Sequence, residues 1–274
     1  MITYRVRLDV PRELVQFVSR LLAAHRKEIK TRKNTRSLTC YQQAVFVLAS
    51  YRDDVDIPRL GAGFGLAQST SYRYVAEGRE VIAAEAPELD EALERAVKEG
   101  TPYVILDGKV VASDRCHEKK ISQKGEEIDR WYSGKKKDFG GNIQALMYPD
   151  GIPMWVSYEL PGGVHDLAAA REKVLPVLQK YLDEMPCLAD AGYIGAGHGV
   201  MTPVRKPAGM TELDINTRTR NMLLCSLRCK GERGFALLSQ RWKILQNVTA
   251  SPSKIGTIAR GALVLTLFEH KRLA

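Results

Sequence analysis

"TPYVILDG", residues 101–108, is where the chain changes character. Before it, apolar residues recur at helical spacing. Within it, Tyr103, Val104, Ile105 and Leu106 crowd into a run short enough for a strand, which ends on Asp107. A second short run, "PCLAD" (186–190), ends the same way on Asp190. If the two are neighbouring strands of one sheet, both carboxylates emerge at the same edge, where open α/β sheets favour active sites. Alone, Asp190 in "CLADAGYIG" (187–195) reads as a turn residue, the ordinary role of Asp before Ala-Gly.

Upstream, the pattern is helical to about residue 98. "PRELVQFVSRLLAAHRKEI" carries an apolar stripe at Leu14, Val15, Phe17, Val18, Leu21 and Leu22, and "TCYQQAVFVLASYR" follows with Thr39 as its N-cap. A short helix around residues 58–64, a turn at Gly65 and a new helix near Gln68 make a helix-turn-helix pattern within about 39–84. Its second helix would offer Gln68, Ser69, Thr70, Tyr72 and Arg73 to bases and phosphates of a major groove. An ordinary helical hairpin is the competing reading. Residues 86–100 read as a connecting helix.

Downstream, "GGNIQALMYPDGIPMWVSYEL" (140–160) gives two strands around a Tyr-Pro-Asp-Gly turn. Residues 165–184 read as one helix with Asp166 as its N-cap, and helices return from about Asn216. The order of strand, hairpin, helix, strand and helices predicts an α/β domain over 99–274, a mixed sheet flanked by helices. An all-α region over 1–98 precedes it.

The net charge of +9 is unevenly placed: residues 201–274 hold 13 Lys/Arg against four Asp/Glu, while the first 200 balance. Basic clusters also stand at "HRKEIKTRKNTR" (25–36) and "GKKK" (134–137). Together they make nucleic acid the leading class of partner. Lys135, Lys136 and Lys137 sit in a loop, which suits phosphates better than base edges. The longest apolar run near either end, "ALVLTLF" (262–268), is far too short to span a bilayer. The first residues carry scattered charges and no apolar signal core, and five cysteines lack framework spacing. A reducing cytoplasm, with no membrane association, is therefore expected.

Two aspartates held close repel unless one is protonated or a cation lies between them. Magnesium or manganese favours such hard oxygen ligands, and a third carboxylate would complete a two-ion site of the kind that cleaves phosphodiesters. The basic last quarter offers Glu212, Asp214, Glu232 and Glu269. Glu232 is the foremost candidate, although from these residues alone pairing with its own neighbours Arg228, Lys230, Arg233 and Arg241 is the favoured reading.

The segments "YVILDGKVVASDR", "WYSGKKKDFGGNIQALMYPDGIPMWVSYELPGGVHDLAAAR", "CLADAGYIGAG" and "KGERGFALLSQRWKIL" occur in this order. Together they resemble the DDE transposases of bacterial insertion sequences, of insertion-sequence family five, and their Harbinger-like endonuclease relatives. The resemblance spans roughly residues 36–270. It implies a ribonuclease-H-like fold, an N-terminal helix-turn-helix that binds the element's ends, and a catalytic D-D-E set of Asp107, Asp190 and Glu232. It implies magnesium or manganese, two ions, as the cofactor. Double-stranded DNA, as terminal inverted repeats and target, is the implied partner, with a homo-oligomer forming on it in the bacterial nucleoid. Lys109 stands where similar proteins usually have Thr, and Gly231 where they have an apolar residue. A catalytically retired, sequence-specific DNA-binding protein derived from a transposase is the alternative. His165 is expected to make a structural hydrogen bond and Asp166 to cap a helix.

Overall fold

Local chemistry sets the first helices. The computed structural model describes residues 8–114, 116–121, 125–209 and 211–273. Helices α1 (Arg12–Glu28), α2 (Cys40–Arg52), α3 (Ile57–Gly63), α4 (Gln68–Ala83) and α5 (Leu89–Lys98) precede the first strand. Thr39 starts α2 with a capping box: its hydroxyl accepts from the Gln42 N–H at 3.2 Å, and Gln42 Oε1 accepts from the Thr39 N–H at 3.0 Å. Asp56 caps α3, with Pro58 in the first turn. The turn from α3 to α4 carries Gly65 at φ +68°, a left-handed conformation that glycine adopts without strain.

The strands are β1 (Val104–Ala112), β2 (Lys119–Ile121), β3 (Glu127–Asp129), β4 (Tyr132–Ser133), β5 (Asp138–Met147), β6 (Pro153–Val156), β7 (Leu160–Pro161), β8 (Cys187–Leu188) and β9 (Val200–Met201). The main sheet runs β4-β5-β1-β8-β9. Strands β1 and β5 are antiparallel, whereas β1, β8 and β9 are mutually parallel, so the sheet is mixed. The outer edge of β5 is taken in turn by β4, β7 and β6. β2 and β3 pair only with each other, as a separate ribbon.

The helix expected over 165–184 is two pieces, α6 (Asp166–Lys173) and α7 (Leu175–Leu178). The run breaks at Val174, just before Pro176, whose ring and missing N–H do not fit a helix interior. The cap also differs from expectation. His165 occupies the N-cap and accepts from the Leu167 N–H at 3.4 Å, while Asp166 is the first helical residue. That frees the Asp166 carboxylate for other partners.

Helices α8 (Ile215–Arg241) and α9 (Ile255–Glu269) close the fold. Successive residues of β1 face opposite ways. Ile105 joins a core with Ile143, Ala145, α8, α9 and the helices α1, α2 and α4. Leu106 joins another with Leu146, Trp155, α5, α6 and α7. Twelve residues of α9 are buried. A Cβ on its Gly261 would lie within contact distance of Ile82 of α4 and overlap the Tyr51 hydroxyl of α2. The helical N-terminal region and the sheet therefore share one apolar core.

Gly231 and Gly234 explain why α8 tolerates two helix-weakening residues. A Cβ on Gly231 would lie 2.8 Å from Ile105 Cγ2, and one on Gly234 would lie 2.6 Å from Met147 Cγ. The helix crosses the sheet at backbone range. Gly231→Val is expected to destabilise the protein by roughly 1–3 kcal/mol through overpacking. Gly63→Ala, at a helical position with nothing within 4 Å, is expected to gain up to about 1 kcal/mol. Urea unfolding of the two variants would measure both.

Candidate active site

The parallel register of β1 and β8 places Ile105 opposite Leu188. Two residues further, past the last β1–β8 ladder pair, stand Asp107 and Asp190; β1 does not end on Asp107 as expected but runs on to Ala112, because β5 continues to pair it, with Asp107 opposite Ala145. Both line one cleft of about 390 Å³ at that end of the sheet. Of the three carboxylates expected to converge, these two share a cleft. Asp190 is held by the turn it starts: its Oδ1 accepts from the Gly192 N–H at 2.7 Å, capping the 3₁₀ turn Ala191–Tyr193. Asp107 Oδ1 accepts from the Gly108 N–H at 2.9 Å.

Asp107 is an uncomfortable charge. Burial pushes its carboxyl up to about 6; the Gly108 N–H opposes this, the Asp190 charge adds to it, Arg228 pulls downward and Asp166 pushes further up. Loss of solvent is thus the leading cause, since three aspartates and three lysines line the cleft. Asp166 lines the same cleft. Its Oδ1 accepts from Asn142 Nδ2 at 2.9 Å and its Oδ2 lies 3.6 Å from Lys135 Nζ. Tyr193 is buried nearby, and burial, followed by the charges of Asp166, Asp107 and Asp190, keeps its phenol firmly protonated.

Glu232 does not join the pair. Its side chain is 69% exposed and lies 3.7 Å from Arg228, one turn back on α8. The residue of α8 that lies over Asp107 is its neighbour Gly231, where a Cβ would stand 3.9 Å from Asp107 Cβ. Among the described residues, no three His, Cys, Asp or Glu side chains are gathered closely enough to hold a metal.

Cations rim the cleft. Lys135 and Lys136 line it and are exposed, whereas Lys137 turns away in a left-handed conformation at φ +56°. Lys109 also lines it, donating to Ser239 Oγ at 3.3 Å across the Phe235 ring. Burial, then the nearby Lys136, lowers the Lys109 pKa. In the N-terminal region, Gln68, Ser69, Tyr72 and Arg73 are exposed at the start of α4, with Thr70 half-buried behind them. Asp166, Lys109 and Asn142 were not foreseen as cleft residues. The signal for Asn142 was present: it and Gln144 are polar residues two apart on an otherwise apolar strand.

A model of the DDE superfamily endonuclease family matches residues 106–266, beginning one residue before Asp107 and taking in all of α8. The chain belongs to the DDE superfamily endonucleases. It is thus a nuclease-type enzyme whose substrate class is DNA, in a family that generally uses divalent metal ions. No curated protein and no solved structure gives a significant match. Among the described residues no helix is long and apolar enough to cross a membrane.

Because the folded Asp107 pKa lies above its unfolded value, the penalty of its buried charge is present in full above about pH 6 and disappears near pH 4. In metal-free buffer Asp107→Asn is expected to be more stable than the unaltered protein at pH 8, by about 2 kcal/mol, with the difference shrinking toward pH 4. Denaturant titrations at several pH values would show this. A difference independent of pH would mean that Asp107 is not the strained charge.

Proposed function

We propose that this DDE superfamily endonuclease is a DNA transposase, cutting and joining phosphodiester bonds at the ends of an insertion sequence. The observation that carries the reading is the meeting of Asp107, within β1, and Asp190, just past the end of the parallel strand β8, in a cleft rimmed by lysines. The sheet order, an antiparallel β6-β5-β1 meander extended by parallel β8 and β9, supports the ribonuclease-H-like assignment.

The donor set suits magnesium or manganese: hard carboxylate oxygens, one of them buried and short of positive charge. Asp107 and Asp190 would hold the metal, with Glu232 assigned as the third acid. Two such ions, when bound, supply Lewis-acid activation of an attacking hydroxyl and stabilisation of the leaving oxygen. The chain's own residues do the rest. The Gly192 and Gly108 N–H groups fix the two carboxylates, and Lys135 and Lys136 neutralise the phosphates of a strand entering the cleft. Lys137, adjacent on the same loop, contacts the backbone further out. The exposed start of α4, with Gln68, Ser69, Thr70, Tyr72 and Arg73, is the helix-turn-helix surface that reads the terminal inverted repeats. A homo-oligomer assembled on DNA would bring two ends together, in the cytoplasm of a bacterium.

One observation favours a second reading. With Glu232 exposed and paired to Arg228, a retired catalytic domain that serves only as a DNA-binding protein would look the same. Strand cleavage of element-end DNA with manganese separates the two. Cleavage is expected for the unaltered protein and a loss of about a thousandfold or more for Asp190→Asn. DNA binding without cleavage in a fully assembled complex would overturn the enzyme reading and leave the binding one. Cleavage without regard to sequence would point to a general nuclease.

A further inference from the structure

On the face of β5 turned toward α6, Asn142 and Gln144 are almost wholly buried, and they link the cleft to the loop after Asp190. The Tyr193 hydroxyl donates to Gln144 Oε1 at 2.7 Å. Gln144 Nε2 donates to Asn142 Oδ1 at 2.8 Å. Asn142 Nδ2 donates to Asp166 Oδ1 at 2.9 Å and to the Val164 carbonyl at 3.0 Å. Every bond in the series points the same way. Val164 and Asp166 offer Asn142 only acceptors, so its amide orientation is forced, and that of Gln144 follows from it. The series begins at a hydroxyl donor and ends at a carboxylate.

The series also passes beneath the first aspartate. Gly108, next to Asp107, leaves room for it: a Cβ there would lie 2.5 Å from Gln144 Nε2, 2.8 Å from Tyr193 Oη and 2.9 Å from Asp166 Oδ1. At its far end, Tyr193 closes the 3₁₀ turn that Asp190 caps. Three groups from three separate elements therefore meet at the single residue that follows Asp107.

We propose that Tyr193, Gln144, Asn142 and Asp166 form a directed positioning relay that fixes the Asp190 turn against Asp107, setting the distance across which the two carboxylates share a divalent cation. The inference rests on reading Asp107 and Asp190 as the metal-holding pair. The relay residues act through the pair and are positioning residues. Asp166 anchors the series as its final acceptor and ties it to Lys135 at the mouth of the cleft.

The test is manganese affinity of the full chain, followed by the electron paramagnetic resonance signal of free Mn²⁺, with thermal melts of each variant. Tyr193→Phe removes one hydroxyl and is expected to weaken Mn²⁺ binding about tenfold, as loss of groups that orient metal ligands commonly does. Gln144→Glu is isosteric and, in its ionised form above its carboxyl pKa, only accepts, so its affinity is read as a function of pH up to the alkaline end. Asn142 must then turn its amide toward position 144, leaving its oxygen facing Asp166, and affinity is expected to fall at least as far. Adding Asp166→Asn to that variant supplies a donor at the other end and is expected to recover most of the loss. A purely structural role for these residues predicts no such recovery. Folded Tyr193→Phe and Gln144→Glu variants that bind Mn²⁺ like the unaltered protein would overturn the relay and leave the metal reading standing. Additive losses in the double variant would overturn the relay's direction. An unaltered protein that shows no Mn²⁺ binding sensitive to Asp107→Asn would overturn the metal reading and the relay together.

Discussion

Two carboxylates held side by side by neighbouring parallel strands repel, and partial burial of one of them sharpens the repulsion. Much of the architecture around the cleft answers that strain. The β1–β8 ladder brings the two carboxylates side by side, and α8 packs closely over β1 beside Asp107, which stays half-buried. That closeness depends on Gly231, where any larger residue would meet Ile105. Backbone N–H groups of Gly108 and Gly192 offset part of the charge, and Arg228 offsets a little more. What remains is an acidic floor beneath a lysine rim, an arrangement suited to a cation bound within and a polyanion lying across it.

The basic rim and the acidic floor have different structural origins. The floor is made by rigid elements, a strand and a capped turn, whose carboxylates have few rotamers. The rim is made by a loop, where Lys135 is 78% exposed and its ion pair with Asp166 is correspondingly weak. A strand of DNA can therefore displace the lysine contacts at small cost while the acids stay in place.

Most of the scaffold was legible in the sequence because its signals are local. The capping box at Thr39, the turn Tyr148–Gly151 and the two short apolar runs that carry Asp107 and Asp190 each depend on a few adjacent residues, although β1 runs on past Asp107 to Ala112 because β5 goes on pairing it. The misplaced helix cap and the split of the helix over 165–184 were also local; Pro176 carried the second signal and His165 the first, since an imidazole nitrogen can accept at an N-cap as a carboxylate does. What the sequence could not carry was direction. Which residue of α8 faces Asp107 depends on how the helix is rotated on the sheet, and the sequence spacing is the same whether that residue is Glu232 or Gly231. The Asn142–Gln144 series was visible only as two polar letters on an apolar strand. Its partners come from residues 164, 166 and 193, and only the folded sheet brings them together.

Helix α9 touches both halves of the molecule. Its Gly261 lies against Tyr51 and close to Ile82, its Gly256 against the chain that follows β6, and nearly every side chain between them is enclosed. The helices proposed to read DNA precede α9 in the chain, yet they pack on it in one shared core. A chain lacking α9 would expose the apolar backs of α1, α2 and α4, so the proposed DNA-reading surface depends on a helix about 170 residues further along.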